Sequence, residues 1–118
     1  MGSRRQIGPK LATRADVGQR RPMQGGWVYI MANKAHEVLY VGVTANLIQR
    51  VAQHREGRGS KFVRKYNCTK LVYAEPHGTM LEAIAREKAI KAWDRVWKLR
   101  LVQQHNPFWQ DLWNEINA

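Results

Sequence analysis

Apolar and β-branched residues form two short runs around a polar segment in the first half of the chain. The runs are WVYIMA at 27–32 and VLYVGV at 38–43, and the polar NKAHE lies between them. Runs of this composition that are joined by a short polar loop are typical of a β-hairpin. The pattern therefore predicts two antiparallel strands.

The predicted hairpin carries one tyrosine in the middle of each strand. If the turn centres between Lys34 and Ala35, Tyr29 faces Tyr40 directly and both rings share one face of the sheet. The opposite face carries the apolar residues Val28, Ile30, Leu39, Val41 and Val43. The tyrosine face is largely apolar as well, through Trp27, Met31 and Val38. We therefore expect both faces of these strands to be covered.

A helical pattern begins directly after the hairpin, in TANLIQRVAQHREG. Asn46 is the predicted N-cap, Gln49 is its capping-box partner, and the glycines that follow Glu56 end the helix. The buried stripe consists of Leu47, Ile48, Val51 and Ala52. At about 100° per residue, Arg50 and His54 fall at one edge of this stripe, where the helix meets the sheet.

Two shorter elements are predicted next. SKFVRKYN indicates a short helix or structured loop, which is anchored by Phe62, Val63 and Tyr66. KLVYAEP at 70–76 predicts a third strand, which ends at its proline because proline cannot donate to a sheet ladder.

The last third of the chain has a helical pattern. TMLEAIAREKAIKAW opens with the capping box of Thr79 and Glu82. Its predicted apolar stripe consists of Leu81, Ile84, Ala85, Ala89 and Ala92. The pattern continues through DRVWKLRLVQQH as a second helix, or as the same helix bent near Asp94. Pro107 ends it, and PFWQDLWNEI forms a final amphipathic segment.

The charge of the chain favours a polyanionic partner. Twenty Lys and Arg residues against nine Asp and Glu residues give a formal net charge of +11. Residues 1–26 hold six basic residues and one acidic residue, so residues 27–118 hold fourteen and eight and are basic by themselves. Residues 1–26 also have almost no large apolar side chains, and we predict a flexible basic arm there.

The remaining bulk features indicate a cytoplasmic protein. Cys68 is the single cysteine, so no intrachain disulfide can form, which fits a reducing compartment. No apolar run reaches the roughly 18 residues of a membrane helix, and no apolar h-region follows the basic N-terminus. Nucleic acid is therefore a more suitable partner than a membrane.

Several residues allow both a structural and a chemical interpretation. The tyrosine pair can simply stabilise the hairpin, and Arg50 and His54 can form a solvated helix edge. Glu87 can pair with Lys91 at i+4, or it can be a single oxygen ligand of Mg²⁺, with phosphate and water as further ligands. Core packing explains the four late tryptophans better than base stacking does.

Taken together, motifs in a definite order and spacing resemble the GIY-YIG nuclease family. They are Trp27-Val28-Tyr29, then after ten residues Tyr40-Val41-Gly42, and then Thr44-x-Asn46-Leu47-x-x-Arg50-x-x-x-His54. Glu87 within AREKAIKAW, and NPFWQDL from Asn106, resemble small stand-alone bacterial members. Trp27 and Val41 depart from the name motif at backbone or packing positions, so the chemical groups are intact.

This resemblance implies a compact α/β domain of the α+β type over residues 27–118, in which helices flank a three-stranded antiparallel sheet. It also implies hydrolysis of DNA phosphodiester bonds with Mg²⁺ or Mn²⁺. The site residues that it implies are the paired tyrosines Tyr29 and Tyr40, phosphate-binding Arg50, assisting His54 and the metal ligand Glu87. Asn106 matches a late asparagine of the family and is a further candidate for DNA binding.

Phosphodiester hydrolysis has a use for each of these groups. The reaction needs an in-line water, a proton acceptor and positive charge on the developing phosphorane. Arg50 can bind the phosphate bidentately. Tyr29 can act as the general base if the metal or Arg50 lowers its pKa from about 10, while Tyr40 or His54 orients the water or relays the proton.

DNA is the expected partner. Sequence-independent phosphate contacts are predicted at Lys61, Arg64, Lys65 and Lys70. We therefore expect selectivity for DNA structure rather than sequence, as in repair or recombination. Two alternatives stay open. One is a non-catalytic nucleic-acid-binding module on the same fold, and the other is a basic adaptor in which the tyrosines stabilise the hairpin and Glu87 pairs with Lys91.

Overall fold

The computed structural model describes residues 25–117. A three-stranded antiparallel sheet carries helices on both faces, which confirms the predicted α+β fold. Nearly all of the arm predicted for residues 1–26 lies outside the described residues, and Gly26 already belongs to the first strand. None of the helices within residues 25–117 is both long and apolar enough to cross a membrane.

The elements follow the predicted order along the chain. The strands are β1 (Gly26–Ala32), β2 (Leu39–Thr44) and β3 (Lys70–His77). The helices are α1 (Leu47–Arg55), α2 (Lys61–Tyr66), α3 (Met80–Ala92), α4 (Arg95–His105) and α5 (Trp113–Ile116). The strand order is β2-β1-β3, so β1 is central and β2 and β3 are the edges.

The predicted hairpin register is wrong by two residues. Tyr29 lies opposite Gly42, and Tyr40 lies opposite Met31, so the turn is centred one residue later than predicted. A shift of two residues keeps every side chain on its face of the sheet, because side chains alternate with a period of two. Tyr29 and Tyr40 therefore still share a face, as diagonal neighbours.

The loop between β1 and β2 explains this register. The side-chain oxygen of Asn33 accepts hydrogen bonds from the backbone N–H groups of Glu37 and Val38, and the N–H of Asn33 donates to the carbonyl of Val38. His36 adopts a left-handed conformation with φ of 59°. These contacts fix the conformation of the loop around Asn33. They cannot be predicted from the alternation of apolar and polar residues in the strands.

Both faces of the sheet are covered, as predicted. One core lies between the sheet and α1, α2 and α5, and includes Tyr29, Met31, Leu47, Val51, Val63 and Leu71. The second core lies between the sheet and α3 and α4, and includes Val28, Ile30, Val72, Ala83, Ile90 and Val102. The tyrosine face is thus the face on which α1 packs.

The start of α1 is fixed by side-chain caps. Asn46 accepts a hydrogen bond from the N–H of Gln49, as predicted for the N-cap. The N–H of Asn46 donates to the hydroxyl of Thr44, so Thr44 fills the place expected for the Gln49 side chain. Gly57 follows the helix with φ of +81°, a conformation that favours glycine. This capping sets the rotation of α1 and hence the direction of Arg50 and His54.

The predicted apolar stripe of α3 is wrong. Ala83, Glu87 and Ile90 form the buried face, whereas Leu81 is 80% exposed. The stripe predicted from the small and apolar residues does not include Glu87. Glu87 can occupy the buried face because Lys91 neutralises it from the next turn.

A second carboxylate is fully buried and joins β3 to α3. Glu75 accepts hydrogen bonds from the hydroxyl of Tyr73, from Nε of Arg86 at 2.8 Å and from Nε2 of His77 at 2.8 Å. Burial raises the pKa of Glu75, but these donors outweigh the burial and hold the pKa below its usual range. Sequence patterns gave no indication of this network.

Replacing Arg86 by methionine is expected to lower the free energy of unfolding by about 3–5 kcal/mol, because it removes the guanidinium from the buried carboxylate of Glu75 and leaves only Tyr73 and His77 as its donors. Arg58→Met is the matched control. Its partner Glu56 is exposed, so the loss should stay below about 1 kcal/mol. Denaturant unfolding followed by tryptophan fluorescence measures both variants. Equal losses for the two variants would contradict the expectation.

The Glu75 network also predicts a pH dependence. The folded pKa of Glu75 is depressed, so its contribution is present above the unfolded carboxyl pKa of 4.5 and disappears as the pH falls through the lower folded value. The difference in unfolding free energy between wild type and Arg86→Met should shrink over the same range.

Candidate active site

Tyr29 projects from the central strand across the glycine of the neighbouring edge strand. Tyr29 and Gly42 are directly paired across β1 and β2. A Cβ atom at position 42 would overlap the phenol ring and the hydroxyl of Tyr29. Gly42 therefore provides the space in which the phenol lies.

Replacing Gly42 by alanine is expected to displace the Tyr29 phenol, which is buried and cannot swing into solvent. We expect a loss of about 1–3 kcal/mol in unfolding free energy, together with a loss of any activity that depends on Tyr29. The matched control is Gly78→Ala, because a Cβ atom there meets only Oε1 of Glu82, at 3.7 Å. Denaturant unfolding measures the effect, and wild-type stability for Gly42→Ala would contradict it.

The hydroxyl of Tyr29 forms a buried hydrogen bond with His54. The distance from this hydroxyl to Nε2 is 2.8 Å, and both side chains are almost completely buried. Nδ1 of His54 has no partner in hydrogen-bond geometry within residues 25–117. The main chain of Arg58 raises the pKa of the imidazole, but burial and Arg50 outweigh it and lower the pKa. His54 is therefore a core residue of α1 and does not lie at a solvated edge.

Tyr40 completes a cluster of three rings. Its ring centroid lies 6.3 Å from that of Tyr29 and 5.4 Å from that of His54, which it contacts edge-on. The side chain of Tyr40 is only partly buried, in contrast to the other two rings. Tyr40 thus lies between the buried Tyr29–His54 pair and the protein surface.

The surroundings keep both Tyr29 and His54 neutral. Burial raises the pKa of Tyr29 well above its usual value, and the nearby Tyr40 adds to this effect. Arg50 acts in the opposite direction, as expected from the sequence, but it does not outweigh the burial. Burial and then Arg50 lower the pKa of His54, which favours the neutral imidazole.

Arg50 and Glu87 act on the pKa of the Tyr29 phenol in opposite directions, since the guanidinium lowers it and the carboxylate raises it. Arg50 comes from α1, and Glu87 comes from α3, which packs against β1 and β2. The structure brings Tyr29, Tyr40 and His54 into contact, and Arg50 lies one turn before His54 on α1. Glu87 lies on the buried face of α3.

Glu87 is nearly buried and makes the ion pair that its helical spacing predicts. Oε2 lies 2.7 Å from Nζ of Lys91, one turn further along α3. The side chain of Lys91 is about half exposed. Its ammonium group can therefore turn to solvent if a cation takes its place.

The donor chemistry at Glu87 fits Mg²⁺ or Mn²⁺. Within the part of the chain that the structure describes, no three His, Cys, Asp or Glu residues form a group that could hold a metal. Mg²⁺ is commonly held by one or two carboxylates, with the remaining ligands supplied by water and substrate phosphate. Glu87 offers one such carboxylate, and Arg50 of α1 is a cation suited to phosphate.

Three of the predicted DNA contacts lie together on α2. Lys61, Arg64 and Lys65 are exposed, and none of them forms a salt bridge with the other residues in 25–117. α2 adjoins the cluster of rings, because the ring centroids of Phe62 and Tyr40 are 5.9 Å apart. These three cations are therefore available close to the site.

The other two predicted DNA contacts are occupied by the fold. Nζ of Lys70 lies 2.8 Å from Nε2 of His36 in the β1–β2 loop. Asn106 is nearly buried, and its amide group donates to the carbonyls of Val72 and Gln110 and accepts from the N–H of Gln110. Its polar atoms hold the C-terminal loop against β3, so the structure does not bring Asn106 into the cluster.

Comparison with known proteins gives the family. The model of the GIY-YIG catalytic domain matches residues 25–100. The chain belongs to the GIY-YIG family. This confirms the resemblance seen in the motifs, and the matched region contains Tyr29, Tyr40, Arg50, His54 and Glu87. A GIY-YIG domain implies nuclease-type activity on nucleic acid.

Several small proteins of the same kind are similar to this GIY-YIG protein. A UPF0213 protein of Staphylococcus haemolyticus is 36% identical over 78 residues, which cover 66% of this chain and 94% of the relative. A UPF0213 protein of Natronomonas pharaonis is 40% identical over 76 residues, which cover 64% of this chain and 88% of the relative. A UPF0213 protein of Staphylococcus aureus is 35% identical over 82 residues, which cover 70% of this chain and 99% of the relative. No solved structure matches the chain significantly.

Proposed function

We propose that this GIY-YIG protein is a DNA endonuclease that hydrolyses phosphodiester bonds with Mg²⁺ or Mn²⁺. The observation that carries the proposal is the buried hydrogen bond between Tyr29 and His54. Arg50 and Glu87 both act on the pKa of this phenol. An aromatic pair can stabilise a hairpin by itself. It does not require a buried imidazole, a guanidinium and a carboxylate around it.

The neutral Tyr29–His54 pair supports a proton relay. The phenol donates to Nε2 of His54 when the imidazole carries its proton on Nδ1, which leaves a lone pair on the phenol oxygen for an attacking water. As the water loses a proton to this oxygen, the phenolic proton moves to Nε2, so the phenol is restored and His54 becomes charged. No phenolate has to form first, and the raised pKa of Tyr29 is compatible with the reaction.

Arg50 and Glu87 act on the phosphate. The guanidinium of Arg50 is partly exposed and can donate two hydrogen bonds to non-bridging oxygens, which stabilises charge on the phosphorane. Glu87 would hold the divalent cation after Lys91 turns away. When bound, this cation supplies positive charge to the oxygens of the scissile phosphate.

The surface near the site favours recognition of DNA structure over sequence. Lys61, Arg64 and Lys65 lie on a helix of six residues and are suited to phosphate contacts, which carry no sequence information. A role in repair or recombination follows from such selectivity. Cys68 is a free, buried thiol, which is compatible with the cytoplasm.

A non-catalytic DNA-binding module is the second candidate. The observation in its favour is the ion pair between Glu87 and Lys91, which satisfies the carboxylate without a metal. On this alternative the exposed cations bind DNA, and the ring cluster only stabilises the fold.

Incubation with end-labelled DNA distinguishes the two candidates. The substrates are nicked, flapped, branched, single-stranded and plain duplex DNA of matched sequence, each with Mg²⁺, with Mn²⁺ and with EDTA. The proposal predicts cuts that need the metal and that follow the structure of the DNA rather than its sequence. Binding to every substrate without cuts under any metal condition would support the module instead.

A further inference from the structure

A row of aromatic rings leads from the candidate active site to the protein surface. The aromatic row consists of Tyr40, Phe62 and Tyr66. The ring centroids of Tyr40 and Phe62 are 5.9 Å apart, and those of Phe62 and Tyr66 are 4.8 Å apart. Since Tyr40 also contacts His54, the row begins within the ring cluster of the site.

The outer two rings of the aromatic row are exposed, contrary to the sequence prediction. Phe62 is 42% exposed and Tyr66 is 40% exposed, whereas Val63 alone anchors α2 in the core. Phe62 and Tyr66 are at i and i+4, so they lie on one side of this short helix. The fold therefore presents two large aromatic surfaces to solvent beside the site.

The charged residues of α2, which carries the outer part of the aromatic row, are all positive. Lys61, Arg64 and Lys65 are exposed on the same helix, and Nζ of Lys65 lies 5.2 Å from the ring centroid of Tyr66. Between Glu56 and Glu75 the chain contains no acidic residue. An apolar protein partner would have to bury these cations, and an acidic protein would leave the rings without a specific contact.

Unpaired DNA has the chemistry that matches both features. Its bases expose flat faces that stack on aromatic side chains, and its phosphates pair with Lys and Arg. The bases of a duplex are stacked on each other, so a duplex can use the cations but not the rings. We propose that α2 is a base-stacking platform for the unpaired strand of the DNA substrate, with Phe62 and Tyr66 as the stacking rings.

The platform rests on the proposed nuclease function and specifies its substrate. An unpaired strand bound at Arg50 continues along the aromatic row onto α2, where Lys61, Arg64 and Lys65 contact its backbone. The scissile phosphate then lies at or next to single-stranded DNA, as in a flap or a gap. Plain duplex DNA binds through the cations alone.

Equilibrium binding in EDTA tests the platform without cleavage. The probes are a fluorescent single strand and a duplex of the same length, and the proteins are wild type, Phe62→Ala, Tyr66→Ala and Phe62→Leu. Loss of stacking is expected to weaken single-strand binding by about 5- to 100-fold per ring, with duplex binding unchanged within about twofold. Phe62→Leu keeps an apolar side chain for the fold but removes the ring, and it should lose single-strand affinity as well.

Phe108→Ala is the matched control, because Phe108 is an aromatic residue that is 82% exposed and lies outside the aromatic row. It should bind both probes as wild type does. Equal losses on both probes for Phe62→Ala, or wild-type affinity for Phe62→Leu, would overturn the platform. Tighter, ring-dependent binding of a single-stranded RNA of the same sequence would overturn the assignment to DNA.

Cleavage separates this proposal from the proposed function. If wild type cuts DNA but Tyr66→Ala leaves KM on a flap unchanged, the platform fails and the nuclease stands. If the rings are needed for single-strand binding and no substrate is cut with Mg²⁺ or Mn²⁺, the platform stands and the nuclease fails. If both hold, the ring variants raise KM on a flap with little change in kcat.

Discussion

Tyr29→Phe is expected to reduce single-turnover cleavage by about 10²- to 10⁴-fold, the range for loss of a positioned general base. The variant keeps the ring over Gly42 and removes only the oxygen that accepts the proton. It also leaves Nε2 of His54 buried without a partner, which costs about 1–3 kcal/mol of stability. This loss is smaller than the 5–15 kcal/mol typical of a folded domain, so the protein should stay folded.

DNA affinity in EDTA is the control for Tyr29→Phe, because a buried hydroxyl contributes little to binding. Affinity should match that of wild type within about twofold, and circular dichroism should show a folded protein. Cleavage at the wild-type rate would exclude Tyr29 as the proton acceptor. A variant that loses binding and cleavage together would show that the phenol only maintains the fold.

The relay through His54 adds a pH signature to this prediction. His54 accepts a proton only while neutral, and burial together with Arg50 lowers its pKa below the usual 6.5. The wild-type cleavage rate should therefore be level near neutral pH and fall as the pH drops through this lowered value. The residual cleavage of Tyr29→Phe should lack that acidic decline, because its relay is broken.

Glu87→Gln is expected to reduce metal-dependent cleavage by about 10²- to 10⁴-fold, which corresponds to the several kcal/mol that a bound cation supplies. The amide has the shape of the carboxylate but no charge for Mg²⁺. Lys91 loses its partner, yet it is half exposed, so the stability should change by less than about 1 kcal/mol. Cleavage is measured over a range of Mg²⁺ concentrations, and higher concentrations should restore only part of the rate.

Glu82→Gln is the matched control for Glu87→Gln, because Glu82 lies on the same helix and is exposed. It should cut as wild type does. Lys91→Ala separates the two interpretations of Glu87. If Lys91 competes with the metal, its removal lowers the Mg²⁺ concentration needed for half-maximal cleavage. If Glu87 has only a structural role, Lys91→Ala leaves that concentration unchanged and Glu87→Gln cuts normally.

The parts of the fold that depend on local chemistry could be predicted from the sequence. The cap of α1 at Asn46 and the cap of α3 at Thr79 are formed by side chains that bond to the next turn, so a few adjacent residues determine them. The two strands around NKAHE follow from their β-branched and aromatic residues. The shared face of Tyr29 and Tyr40 follows from strand periodicity, which a two-residue error does not disturb.

The features that depend on distant contacts could not be predicted. The register follows from the hydrogen bonds of Asn33 within its loop, and the exposure of Phe62 follows from how α2 lies on the core. Helical spacing predicts His54 at the edge of the buried stripe, where α1 meets the sheet, but it does not predict the buried hydrogen bond to Tyr29, 25 positions earlier in the chain. The polarity of a histidine or a glutamate predicts an exposed side chain. Such a side chain can be buried when the fold supplies a hydrogen-bond partner, as Tyr29 does for His54 and Arg86 does for Glu75.

The most direct test of the proposed nuclease is single-turnover cleavage of a labelled flap and its matched duplex in Mg²⁺. Wild type, Tyr29→Phe and Glu87→Gln are compared at equal DNA occupancy, with EDTA as the blank. We expect wild type to cut the flap and EDTA to abolish the cuts, and we expect both variants to bind the flap but to cut it at least about 10²-fold more slowly. Equal cutting by all three proteins, or tight binding by wild type without any cut in Mg²⁺ or Mn²⁺, would contradict the proposal.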